Sequence, residues 1–142
     1  MSADALELYH YWRSSASYRV RLALNLKGLD YAIHPINLLA DGGQQHQAGY
    51  RRINPQGLVP TLVHDGHAIS QSLAIMEYLD EVFPSHALLP SEPLARAKIR
   101  GIALYIASEG QPLMNLRVLQ YLEAEHGLDD AAKADWVRHW LT

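Results

Sequence analysis

The period of the apolar positions changes several times along the chain, and each change marks an element. Leu6-Glu7-Leu8-Tyr9-His10-Tyr11 alternates like a strand, after which Ala16, Val20, Ala23 and Leu24 recur at helical spacing as far as Lys27-Gly28. Tyr31 to Leu38 reads as a second strand. Asp41-Gly42-Gly43 opens a polar loop, expected to be mobile, that leads into a short helical stretch near Gln47 to Ile53. Val59-Pro60-Thr61-Leu62-Val63 and His67-Ala68-Ile69 flank Asp65-Gly66, the dipeptide that best specifies a two-residue hairpin turn. Ser70-Gln71-Ser72 then offers cap-type residues to a helix whose broad apolar face carries Leu73, Ile75, Met76, Tyr78 and Leu79 and ends before Pro84. Further on, Ile99, Ile102, Ala103 and Ile106 keep the helical period, and Leu113, Leu116, Leu119 and Leu122 resume it after Pro112. A last helix begins near Ala131, with Trp136, Val137, Trp140 and Leu141 on one face.

The order strand, helix, strand, helix, hairpin, helix over residues 5 to 82 is that of an α/β thioredoxin-like domain, its first βαβ unit expected to be right-handed. The predicted organisation is therefore a thioredoxin-like domain over residues 1–83, a proline-containing linker over 84–93, and the beginning of an all-α C-terminal domain over 94–142. That helical part is expected to be incomplete, because three apolar helices without a closing partner leave a patch larger than the roughly 300–600 Å² usual on monomers.

Composition narrows the function classes. Apolar residues make up 49% and charged residues 19% of the chain, which is globular, and no apolar run reaches the roughly 20 residues that span a bilayer. No basic-then-apolar leader opens the sequence, so a cytoplasmic protein without membrane partners is expected. The formal charge is −3 and no basic run exceeds Arg51-Arg52, which argues against nucleic acid. None of the eight histidines pairs at helical metal-ligand spacing, so no metal site is expected.

The chemistry concentrates in Trp12-Arg13-Ser14-Ser15-Ala16-Ser17-Tyr18, which places three hydroxyls and unpaired backbone donors where a strand turns into a helix. A helix N-terminus carries partial positive charge and hydroxyls add short hydrogen bonds, so this turn suits an anion or an ionised sulfur. The chain has no cysteine, and a thiolate held there must arrive with a small molecule, for which glutathione is the candidate.

Four motifs in order, Tyr11-Trp12-Arg13-Ser14-Ser15-Ala16-Ser17-Tyr18-Arg19-Val20-Arg21, Asn54-Pro55-Gln56-Gly57-Leu58-Val59-Pro60-Thr61-Leu62, Gln71-Ser72-Leu73-Ala74-Ile75 and Gln111-Pro112-Leu113-Met114-Asn115-Leu116, closely resemble the zeta class of glutathione transferases, the maleylacetoacetate isomerase family. The resemblance covers essentially the whole chain and implies the glutathione transferase fold. It implies glutathione-dependent cis–trans isomerisation of maleylacetoacetate to fumarylacetoacetate in tyrosine and phenylalanine breakdown, by a homodimer. It implies that Ser14 stabilises the glutathione thiolate with Ser15 assisting, and that Val59, before a cis proline, binds the cysteinyl main chain. By the same resemblance Gln71 and Ser72 hold the γ-glutamyl carboxylate, Gln45 contacts the glycyl end, and Gln111, Asn115 and Arg117 match ligand-site positions. Arg13 is expected to attract a substrate carboxylate. The family often has cysteine where this chain has Ala16.

Each feature also has a plainer reading. Ser14-Ser15 and Gln71-Ser72 can be ordinary caps, and Val59-Pro60 sets hairpin geometry whatever else it does. Arg19 and Arg21 are expected in structural ion pairs, and Trp12, Trp136 and Trp140 in packing. Maleylpyruvate isomerase, a general conjugating or dehalogenating transferase, and a non-catalytic glutathione-binding module are the alternatives to the isomerase.

Overall fold

The computed structural model describes residues 5–141; the first four residues of the expected 1–83 domain and Thr142 lie outside it. Contacts divide the chain into two units, one ending at Leu89 and the other beginning at Pro90.

In the first unit the strands are β1 (Leu6–His10), β2 (Ala32–Pro35), β3 (Thr61–His64) and β4 (His67–Ser70), and the helices are α1 (Ser15–Leu26), α2 (Ala48–Ile53) and α3 (Ser72–Val82). The sheet order is β2-β1-β3-β4, with β1 parallel to β2 and antiparallel to β3, and β3 antiparallel to β4. Alternation along β1 turns Leu6 and Leu8 into the core, where they meet Val20 and Leu24 of α1, Leu62 of β3, and Ile75 and Leu79 of α3. Each of these side chains contributes about 1.5–3 kcal/mol through the apolar area it removes from water. The same packing sets α1 and α3 against the sheet, which positions their N-termini.

The Asp65-Gly66 hairpin forms as expected, with φ of 48° and 79°. Two consecutive left-handed residues are what its two-residue turn demands, and glycine takes the second without a Cβ penalty. α1 ends in a Schellman motif, Leu29 N donating to Leu24 O at 3.0 Å and Gly28 N to Asn25 O at 3.1 Å. The second strand is shorter than the expected Tyr31 to Leu38, because Pro35 has no N–H to continue a ladder; Ile36 N still donates to His10 O at 2.8 Å.

The second unit is helical: α4 (Pro93–Leu104), a wide π-type turn (Tyr105–Gly110), a 3₁₀ turn (Gln111–Met114), α5 (Leu116–His126) and α6 (Asp130–Leu141). Glu92 caps α4 through Leu94 N and Ala95 N, ahead of Pro93 at the first helical position. Leu113 does not share α5 with Leu116, Leu119 and Leu122. Pro112 lacks the N–H a continuous helix needs, so the chain tightens into the 3₁₀ turn and restarts at Asn115, whose side chain caps α5. Trp136 Nε1 donates to Leu113 O at 2.8 Å and the Trp136 and Trp140 rings lie 5.7 Å apart, so Trp136 packs as expected, whereas Trp140 stays 42% exposed. No described residue from Pro90 onward is fully buried, and Leu94, Ile102, Tyr105 and Leu141 are each more than half exposed.

Candidate functional site

The turn after β1 is locked from several sides. Ser14 N donates to Tyr11 O at 3.1 Å, Tyr11 N donates to the buried Ser17 hydroxyl at 3.4 Å, and Arg21 Nη2 donates to Trp12 O at 3.1 Å. Ser14 is the N-cap of α1, extended at φ −72° and ψ 119°, its Oγ accepting from Ser17 N at 3.1 Å. This is the geometry of a capping serine, with one consequence for chemistry. Because Oγ is used as an acceptor, the hydroxyl proton of Ser14 is left to donate outward. The N–H groups of Ser15 and Ala16 have no intrahelical acceptor, and α1 has no acidic residue in its first turn to neutralise the positive helix end. Ser15 is exposed beside them.

The cations around this turn are sorted by their contacts. Arg13 is exposed with its guanidinium 5.7 Å from the Trp12 ring centroid, and Arg21 lies over Tyr18 at 5.4 Å. The ion pairing expected of Arg21 is replaced by its bond to a main-chain carbonyl and this ring contact, because the turn presents a carbonyl, not a carboxylate, within reach. Burial pulls the Arg19 guanidinium below its usual range. His10, buried at the end of β1, is likewise held below the ordinary imidazole value, first by burial and then by the charge of Arg21. Trp12 does not pack inward as expected: it is 68% exposed, since the turn that presents Ser14 also carries its neighbour outward.

A second set of groups gathers where β3 and α3 begin. The Val59–Pro60 peptide is cis, and Val59 makes no backbone–backbone hydrogen bond among the described residues. Gln71 occupies the N-cap position of α3 at φ 70° and ψ 113° without a side-chain cap bond. The cap expected from Ser70-Gln71-Ser72 is therefore not made: Gln71 reaches sideways, its Nε2 donating to Gln56 Oε1 at 3.0 Å. The first N–H groups of α3 stay open and again no acidic residue sits in the first turn. Ser72 is buried at this end. A non-glycine residue at positive φ costs on the order of 1–3 kcal/mol and concentrates at binding sites.

Gln45 lies in the 3₁₀ turn Gln44–His46, and its side chain is buried. Nε2 meets His46 Nε2 at 3.2 Å while Oε1 is buried without a partner. A Cβ on Gly43 would stand 2.6 Å from Gln45 Nε2, so a side chain there would push this amide from its place. The remaining expected residues belong to the helical unit. Gln111 opens its 3₁₀ turn, Asn115 Oδ1 accepts from Val118 N at 3.4 Å, and Arg117 is exposed on α5.

Three residues behind Val59 were given no role from the sequence, although Asn54 and Thr61 stand in the second of the four motifs. Tyr50, Asn54 and Thr61 are buried and bonded to one another and to Leu58 O. The available signal was Asn54-Pro55, a turn-forming pair directly ahead of Leu58-Val59-Pro60.

The family model for the glutathione S-transferase N-terminal domain matches residues 13–82. A probable maleylacetoacetate isomerase of Vibrio cholerae is 47% identical over 137 residues, 96% of this chain and 64% of that protein. Among solved structures, a bacterial zeta-class maleylpyruvate isomerase matches at a TM-score of 0.91 and 37% identity, over 95% of this chain and 63% of the other. A maleylacetoacetate isomerase of Methylobacterium extorquens with bound malonate and glutathione matches at 0.89 and 42%, over 94% and 62%. The chain thus spans less than two thirds of the length of these relatives.

Proposed function

The chain belongs to the zeta-class glutathione transferase family, and from that premise we propose that it binds glutathione and isomerises maleylacetoacetate to fumarylacetoacetate. The observation that carries the reading is the Ser14 hydroxyl, which accepts from Ser17 N and so has its own proton to give to a sulfur at the head of α1. The other groups fit a γ-glutamyl tripeptide piece by piece. Val59 offers an unused main-chain edge, the open α3 terminus with Ser72 suits a carboxylate, and the orphaned Gln45 Oε1 awaits a ligand N–H.

When bound, glutathione supplies a thiol whose reversible addition to a cis alkene allows the carbon–carbon bond to turn. The residues of the chain ionise and orient it. A free thiol titrates near ~8.5, and each unit of depression needs about 1.4 kcal/mol. A hydrogen bond to a charged group contributes about 1.5–3 kcal/mol and a helix end about 0.3–1 kcal/mol, together enough to take the ionised share of the sulfur at neutral pH from a few per cent to about 40% or more. Ser14 donates the hydrogen bond, Ser15 and the first N–H groups of α1 add the helix end, and Arg13 draws a substrate carboxylate to the same turn. The proposal extends to a homodimer in the cytoplasm; among the described residues no helix is long and apolar enough to cross a membrane.

Maleylpyruvate is the second substrate reading, raised by the match to a maleylpyruvate isomerase at a TM-score of 0.91 beside that to a maleylacetoacetate isomerase at 0.89. Both maleyl acids should be presented in parallel, with and without glutathione. Turnover that requires glutathione without consuming it is the expected result, and the ratio of the two rates assigns the substrate. Tight glutathione binding with no turnover of either acid would sink the isomerase in favour of a binding module, and consumption of glutathione with an α-haloacid would indicate a conjugating or dehalogenating transferase.

A further inference from the structure

Behind Val59 lies a hydrogen-bond network in which every proton has a single place to go. Tyr50 Oη donates to Leu58 O at 2.5 Å. Its one proton being spent there, the 2.8 Å contact between Tyr50 Oη and Thr61 Oγ1 must be donated by Thr61. Thr61 Oγ1 accepts in turn from Asn54 Nδ2 at 3.0 Å, and the other Nδ2 proton goes to Leu58 O at 2.9 Å. Asn54 Oδ1 accepts from Gln56 N at 3.0 Å, which fixes the amide orientation. Tyr50, Asn54 and Thr61 are 5%, 3% and 0% exposed, so neither water nor alternative rotamers relax this arrangement.

Both donors meet at one carbonyl, and that carbonyl belongs to the same planar peptide unit as the N–H of Val59. Fixing the oxygen of a planar unit fixes its N–H. We propose that Tyr50, Asn54 and Thr61 are positioning residues for the cofactor, aiming the Val59 N–H at the peptide main chain of glutathione by pinning the Leu58–Val59 peptide. This rests on the glutathione reading of the site and goes beyond it by placing the control of cofactor affinity in α2 and β3, on side chains that never touch the ligand. The network also ties the loop to α3, because Gln56, held by Asn54, receives the side chain of Gln71. Burial keeps the Tyr50 phenol protonated above its ordinary range, so the donor persists at alkaline pH.

The test titrates glutathione into the parent chain and into Tyr50→Phe, Thr61→Val and Thr61→Ser by calorimetry, and measures the pKa of the bound thiol from its ultraviolet thiolate band. Tyr50→Phe is expected to weaken binding roughly five- to tenfold, the worth of one buried hydrogen bond, with the thiol pKa unchanged because Ser14 is untouched. Thr61→Val weakens it less, since both donors to Leu58 O remain, and Thr61→Ser recovers most of that loss by restoring the hydroxyl. A folded Tyr50→Phe chain that melts earlier yet binds glutathione as the parent does overturns the positioning role and leaves the network purely structural. Should Tyr50→Phe fail to fold, Thr61→Val decides by the same comparison. Failure of the parent itself to bind glutathione overturns the reading beneath, and is distinct from either result.

Discussion

Ser14 serves folding and chemistry through different atoms of one hydroxyl group. Its oxygen caps α1 and its proton is free for a ligand. The two roles separate by substitution. Ser14→Ala loses both, so stability should fall by about 1 kcal/mol for the missing cap, and turnover at neutral pH should fall by between about two- and fiftyfold as the thiol pKa rises by one to two units from a largely ionised starting point. Ser14→Asp keeps a capping oxygen and places negative charge at a positive helix end, so its melting temperature should match or exceed that of the parent while turnover falls at least as far as in Ser14→Ala. Thermal melts beside initial rates check this: an aspartate variant as unstable as the alanine variant would show that Ser14 is not the cap. Gln71 is the opposite case, a residue whose backbone is strained and whose side chain holds Gln56. Gln71→Gly relieves the positive φ, so the first unit should gain about 1 kcal/mol in denaturant midpoint measurements while glutathione affinity declines through the lost link.

At the level of elements, what the sequence revealed depended on whether the determinant was local. α1 was legible from end to end, because its cap, its apolar period and its terminal glycine all lie within one stretch of chain. The hairpin was legible because Asp65-Gly66 carries its own conformational preference. The head of α3 was misread: glutamine has no intrinsic taste for positive φ, and what holds it there includes Gln56, fifteen residues away. Leu113 was misread because its spacing fits a helix and only the restart at Asn115 removes it. The pinning of Leu58 was invisible for a related reason. Tyr50 and Thr61 stand eleven residues apart in different elements, and no period links a helix residue to a strand residue. Ser14, Ser15, Val59, Gln71 and Ser72 stood out as candidates because each belongs to a short motif at an element boundary, where unpaired backbone groups gather whatever the tertiary structure.

At the scale of the whole first unit, one ion pair fastens the chain where it leaves α3. Lys27 Nζ, fully buried at the end of α1, donates to Asp80 Oδ1 at 2.9 Å and to the carbonyls of Ser85 and His86 at 3.1 and 3.3 Å. Asp80 also accepts from Leu88 N and Leu89 N at 2.7 and 3.1 Å. With its partners satisfied the pair is tolerable, but breaking it is costly from either side. Lys27→Met leaves a carboxylate with two backbone donors and Asp80→Asn leaves an ammonium with two carbonyl acceptors, each a buried charge without its counter-charge, so either should cost about 3–5 kcal/mol. The same contacts set an acid limit. Burial opposes the charge on Asp80, yet the hydrogen bonds from Leu88 N, Lys27 and Leu89 N outweigh it and hold the carboxyl below its ordinary value. A depressed carboxylate stabilises fully above the unfolded value near ~3.9 and loses that contribution as pH falls through the lower folded value. His10 acts at higher pH: its buried imidazole is also depressed, so stability declines as pH drops below the unfolded value near ~6.5, where the unfolded chain takes up a proton that the folded one refuses. Chemical denaturation from pH 8 to pH 3 should therefore show two declines. His10→Gln should flatten the upper one alone. Asp80→Asn should lower the whole curve and shrink the lower step, leaving the part owed to Glu92, which Leu94 N and Ala95 N also hold below its ordinary value; a lower step of unchanged size would assign acid unfolding to other carboxylates and leave the pair a fastening without a role in pH response.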